Sequence, residues 1–138
     1  MKFRVVSWLK NKNLWKKKII YKDLSYKIVG LAIEVRQELG YGFLEKVYEN
    51  ALMVLLKENG IKAAQQVPIK VYFHGQVVGD YIADILVDDS IILELKSQDH
   101  IVEVHKAQTL NYLKATKLKL AILLNFGKER LEAKRLVL

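Results

Sequence analysis

The chain has 138 residues, 51% of them hydrophobic and 28% charged, with one proline and no cysteine. That length and composition describe one folded domain, neither a disordered segment nor two ordinary domains. Without cysteine there is no disulfide, thiolate metal site, iron–sulfur cluster or cysteine nucleophile. The net charge of +8 is unevenly spread. Residues 1–22 carry eight basic residues and no acid, residues 23–104 sum to −6, and residues 105–138 sum to +6. Basic ends favour a polyanion and an acidic middle favours a divalent cation, although charge runs are also ordinary solvated surface. No apolar run is long enough to span a bilayer, and no secretory signal pattern opens the chain, so a cytoplasmic protein without integral membrane association is expected.

Residues 1–22 read as a basic N-terminal extension, with Trp8, Trp15 and a lysine run that suit a nucleic-acid or membrane surface or a poorly ordered tail. The domain proper is expected over 23–138. Leu24, Ile28, Leu31, Val35 and Leu39 repeat at helical spacing, with Asp23 as cap and Gly40 beyond the end. After Gly40-Tyr41-Gly42 a second helix carries Leu44, Val47, Tyr48, Ala51, Leu52 and Leu55, and Gly60 ends it.

Strands follow. Val67 to Phe73 is rich in strand formers, with Pro68 suiting an edge, and His74-Gly75-Gln76 reads as a hairpin turn. Val77 to Val87 and Ile91 to Lys96 are the next two strands, separated by a turn at Asp88-Asp89-Ser90. Residues 101–116 are expected as a helix with Val104, Ala107 and Leu110 on its apolar side. The nearly unbroken apolar run Leu118 to Phe126 predicts a central strand buried on both faces and parallel to a neighbour. Arg130 to Leu138 reads as a last strand. The order α-α-β-β-β-α-β-β is that of an α/β (α+β) fold, with a mixed central sheet flanked by helices.

Three groups of residues could carry chemistry. Asp84 is followed at a distance by Glu94-Leu95-Lys96, and strand alternation puts Glu94 and Lys96 on one face. A hairpin can bring Asp84 beside them. Two converging carboxylates suit Mg2+ or Mn2+, and a nearby lysine can orient water or offset phosphate charge. A solvated salt bridge is the plainer alternative. Gln108 and Tyr112 lie one helical turn apart, able to bond or stack on a substrate, or to form an ordinary polar helix edge. Glu45 flanks the apolar stripe of the second helix and could face a site between helix and sheet, or simply answer the helix dipole. The three histidines, His74, His100 and His105, have no zinc spacing. No glycine-rich phosphate loop or serine triad is present.

Taken together, GFLEKVY at 42–48, GDYIADILVDDSIILELKS, AQTLNYLK and LLNFG resemble the PD-(D/E)xK nuclease superfamily, and within it the small proteins named for a GxxExxY motif. The resemblance spans about residues 24–137 and implies a restriction-endonuclease-like core and a metal-dependent nuclease, with DNA favoured over RNA as the substrate. It implies Glu45, Asp84, Glu94 and Lys96 as catalytic residues, with Asp84, Glu94 and Glu45 toward Mg2+ or Mn2+. Gln108 and Tyr112 match a QxxxY substrate-binding motif. Ala83 replaces the nominal proline and Tyr41 another proline of the pattern. Because fold does not guarantee activity, a catalytically weak nucleic-acid-binding or regulatory module is the alternative. The short chain also suggests a homodimer.

Overall fold

The computed structural model describes residues 2–138, with side chains from Tyr21 onward. Its elements are α1 (Lys2–Leu39), α2 (Glu45–Glu58), β1 (Ala63–Phe73), β2 (Gln76–Val87), β3 (Ile91–Lys96), α3 (Glu103–Thr116), β4 (Leu120–Phe126) and β5 (Leu131–Val137). The order matches the expected one. The Trp8, Trp15 and lysine features of the extension lie outside the residues with described side chains. The helix is already running at Tyr21, so Asp23 lies inside α1 and does not cap it.

Ile28, Leu31, Ala32 and Val35 form the buried stripe of α1, while Leu39 at its end is exposed. Gly40 then takes φ +77°, a left-handed conformation that glycine adopts without a Cβ penalty. Its N–H donates to the Arg36 carbonyl at 3.0 Å and closes the helix.

The five strands form one sheet in the order β1-β2-β3-β4-β5. All neighbours are antiparallel except β3 and β4, whose parallel pairing uses α3 as the crossover. β1 and β2 meet at Phe73↔Gln76 through His74 and Gly75, both at positive φ, the geometry of a two-residue hairpin turn. Pro68 lies in β1, an edge strand, where its missing N–H is tolerated.

Alternation divides the core. Ile91, Leu93 and Leu95 of β3 and Leu120, Ile122, Leu124 and Phe126 of β4 pack with α1 and α2. Ile92 and Ala121 face the other way, with Tyr112 and Leu113 of α3. Every residue of β4 is buried, as a strand covered on both faces requires.

The expected stripe of α3 is wrong. Val104 and Ala107 are exposed and Leu110 is only half-buried, while His105, Thr109, Tyr112 and Leu113 face the sheet. The polar members go inside because their polar atoms are satisfied locally. Thr109 Oγ1 donates to the His105 carbonyl at 2.8 Å, and His105 Nδ1 accepts the Val102 N–H at 3.3 Å.

Candidate active site

The ladder between β2 and β3 runs Val87↔Ile91, Leu86↔Ile92, Ile85↔Leu93 and stops there, although both strands continue. At the next position side chains replace the backbone ladder. Asp84 N–H donates to Glu94 Oε1 at 3.0 Å, and Leu95 N–H donates to Asp84 Oδ2 at 2.8 Å. Beyond this point β2 stays with β1 and β3 stays with β4, as in Val67↔Ala83 and Lys96↔Asn125. The strands part like a fork with the two carboxylates in its angle. Each has one oxygen anchored on backbone, and the two carboxyls lie within hydrogen-bond reach of each other.

β1 bends at the same level. Gln65 pairs with Ile85 and Val67 with Ala83, while Gln66 between them takes φ +53°. A non-glycine residue at positive φ inside a strand is strained and marks a local break in the pleat. The faces change over here. Ile85 belongs to the core under α1 and α2, whereas Ala83 and Ile69 belong to the core under α3.

The fork is an environment hostile to negative charge. Glu94 is only 4% exposed. Burial above all, then the neighbouring Asp84, pushes its carboxyl up to about 8. Asp84 is also raised by burial, against the bond from Leu95 N–H. Tyr112 is pushed up to about 12 by burial and then by the charges of Glu94 and Asp84, with Gln108 opposing the shift. Lys96 follows Glu94 by two residues, and its charge acts on Glu94, Asp84, Glu45 and His105 alike. Glu45 opens α2 on an exposed position, yet partial burial of its carboxyl raises its pKa, with Lys96 opposing. The structure therefore brings Asp84, Glu94, Lys96, Tyr112 and Gln108 to one face of the fork. Glu45 stands at its edge, coupled through charge and without a hydrogen bond to the others.

Three further residues organise the site. Tyr48 is fully buried, stacked on Phe126 at 4.4 Å. Its hydroxyl donates to the Gly40 carbonyl at 2.6 Å and accepts Phe43 N–H at 3.2 Å, which fixes the loop that delivers Glu45. Glu49 is buried and accepts from Lys46 Nζ at 2.9 Å, Gln65 Nε2 at 2.6 Å and Gln66 Nε2 at 3.0 Å, tying α2 to the bend of β1. Its charge raises both Glu45 and Asp84. Asn125, paired with Lys96 in register, donates to the Gln98 carbonyl at 2.8 Å and accepts Gln98 N–H at 2.9 Å, shaping the exit of β3. The spacing of Glu49 one helical turn after Glu45 was its sequence signal. Asn125 showed only as the one polar residue in an apolar strand.

The donor set suits a hard divalent cation. Two carboxyls that burial holds toward the neutral form, Glu94 further by the charge of Asp84 and Asp84 by that of Glu49, gain most from a shared positive charge. Among the described residues no group of three His, Asp or Glu side chains is assembled as a ready metal cage. Two carboxylates with water and substrate completing the shell are the pattern for Mg2+, which keeps several waters.

A family model described as the PD-(D/E)XK nuclease superfamily matches residues 22–136. A search of curated proteins returned no match. Among solved structures, one titled "Crystal structure of SSO0001" is similar with a TM-score of 0.53 and 21% identity over 67% of this chain and 50% of that chain. This chain thus spans about half the length of that protein, and the likeness speaks for the fold alone. The family match covers both strands of the fork, α2, α3 and the second half of α1. The chain belongs to the PD-(D/E)XK nuclease superfamily.

Proposed function

We propose that this chain is a divalent-metal-dependent nuclease of the GxxExxY type, hydrolysing phosphodiester bonds in nucleic acid, with DNA favoured over RNA. The observation that carries the reading is the fork at Asp84 and Glu94, with Lys96 on the same face. Asp84 and Glu94 would hold one Mg2+ or Mn2+, with Glu45 reaching it directly or through water. When bound, the ion supplies Lewis-acid polarisation of the phosphate and a more acidic water. Lys96 orients the nucleophile and offsets charge gathering on the phosphate. Gln108 and Tyr112 hold the substrate, Tyr112 as a neutral hydroxyl at any physiological pH. The basic residues of the two ends add salt-sensitive affinity for phosphates.

A cytoplasmic location and a homodimer belong to the same reading. No helix among the described residues is long and apolar enough to cross a membrane. The test is cleavage of labelled single-stranded DNA, duplex DNA and RNA in Mg2+, Mn2+ or EDTA, with Lys96→Ala as control. Metal-dependent cleavage lost in the variant is expected. Salt-sensitive binding without cleavage in any metal would instead favour a binding or regulatory module on this fold.

A further inference from the structure

Two apolar lips flank the fork. The entry to α2 presents Tyr41, Phe43 and Leu44, and the entry to α3 presents Val102 and Val104, all exposed, Leu44 by 80% and Val104 by 68%. The first lip adjoins Lys96, and the second lies within reach of its charge. The Phe43 carbonyl accepts from Ser97 Oγ at 3.1 Å, one residue past the lysine. Val102 N–H donates to Nδ1 of His105, the buried histidine on which the Lys96 charge acts.

The first lip is held in place. Phe43 N–H is bonded to the Tyr48 hydroxyl, and the Phe43 ring stands edge-on to the Tyr48 ring at 6.1 Å. Large apolar side chains fixed in water beside a polar site are arranged for contact with something apolar.

Charge narrows what that is. The lysines within 41–48 and 101–106 are Lys46 and Lys106, and each is paired on its own helix, with Glu49 and Glu103, at 2.9 Å. A duplex turns phosphates outward and is gripped through cations and polar groups. A single strand turns out the apolar faces of its bases, which lie on aromatic and aliphatic side chains.

We propose that these lips receive unpaired bases, so that the substrate is a single-stranded or locally unpaired polynucleotide. Its reacting phosphate then lies over Asp84, Glu94 and Lys96, a placement that rests on the nuclease reading above. The bases lie against Phe43 and Leu44 on one side and Val102 and Val104 on the other. Affinity at the mouth comes from base faces, and phosphate affinity comes from basic residues farther out.

The test is binding of the full chain in EDTA, where nothing is cleaved, to labelled oligothymidylate, its duplex with oligodeoxyadenylate, and an abasic strand of equal length. Wild type is compared with Leu44→Ser combined with Val104→Ser. Both positions are exposed, and Leu44 precedes the first residue of α2, where serine is a favoured cap, so the helix is not weakened. Oligothymidylate is expected to bind about tenfold tighter than the duplex or the abasic strand, an advantage the double variant loses. Equal binding of all three, or unchanged oligothymidylate binding by the variant, would overturn the proposal. Base-dependent binding without cleavage in Mg2+ or Mn2+ would sink the nuclease reading and leave this one standing. Duplex bound and cleaved as well as single strand would do the reverse.

Discussion

Asp84 and Glu94 are each bonded to the other's strand: the Glu94 carboxylate takes Asp84 N–H, and the Asp84 carboxylate takes Leu95 N–H. This exchange lets β2 and β3 separate without leaving those backbone donors unpaired, which would cost about 1–3 kcal/mol for each. It also fixes both carboxyls on the backbone before any ligand arrives. The strand parting and the preorganised acids are therefore one feature.

That arrangement stores a pH dependence. The folded, metal-free protein holds the Glu94 carboxyl near 8, against 4.5 as its ordinary value. Between those values the unfolded chain gives up a proton that the folded one keeps. Stability is therefore greatest at the acid end of the window and is lost as pH rises toward 8, at about 1.4 kcal/mol per pH unit for such a group. Asp84, also raised, adds in the same direction. Urea unfolding in EDTA at several pH values should show this slope in wild type and a much shallower one in Glu94→Gln. Equal slopes would remove Glu94 as the source.

Tyr48 links the motif GxxExxY to the loop geometry. Tyr48→Phe keeps the ring stacked on Phe126 but removes the acceptor of Phe43 N–H and the donor to the Gly40 carbonyl. A loss of about 1–3 kcal/mol in unfolding free energy is expected. Hydrogen exchange should quicken at the 40–44 amides while β4 stays protected. Unchanged exchange there would mean that the hydroxyl does not hold the loop.

Glu49 carries the attachment of α2 to β1. Glu49→Ala removes the buried acceptor shared by Lys46, Gln65 and Gln66, leaving Gln65 its bond to Asn50 Oδ1 at 2.9 Å and the exposed Lys46 and Gln66 to water. The expected cost is about 1–3 kcal/mol, the scale of hydrogen bonds to a charged group, with Glu49→Gln milder. Chemical denaturation of the two variants would measure it, and an alanine variant as stable as wild type would contradict it.

Much of this was legible because apolar pattern and strand alternation are local. The all-buried β4 followed from the Leu118–Phe126 run, and the shared face of Glu94 and Lys96 followed from their spacing. The stripe of α3 was misread because periodicity counts apolar residues, while His105, Thr109 and Tyr112 enter the interior on the strength of bonds and packing that no window shows. Gln66 at positive φ was invisible for a related reason. Glutamine has no preference for that conformation, which is imposed by the parting of strands far along the chain. Asp23 has the residue type of a cap although α1 runs through it, because that preference is the same wherever an aspartate stands.

The most direct test of the account is Mn2+ binding by calorimetry at pH 7.5, comparing wild type with Asp84→Asn and Glu94→Gln. One site is expected in wild type, weakened about tenfold or more in each variant, with protons released on binding as Glu94 gives up its own. Binding of equal strength in all three proteins, or binding without proton release, would contradict the assignment of the fork as the metal centre.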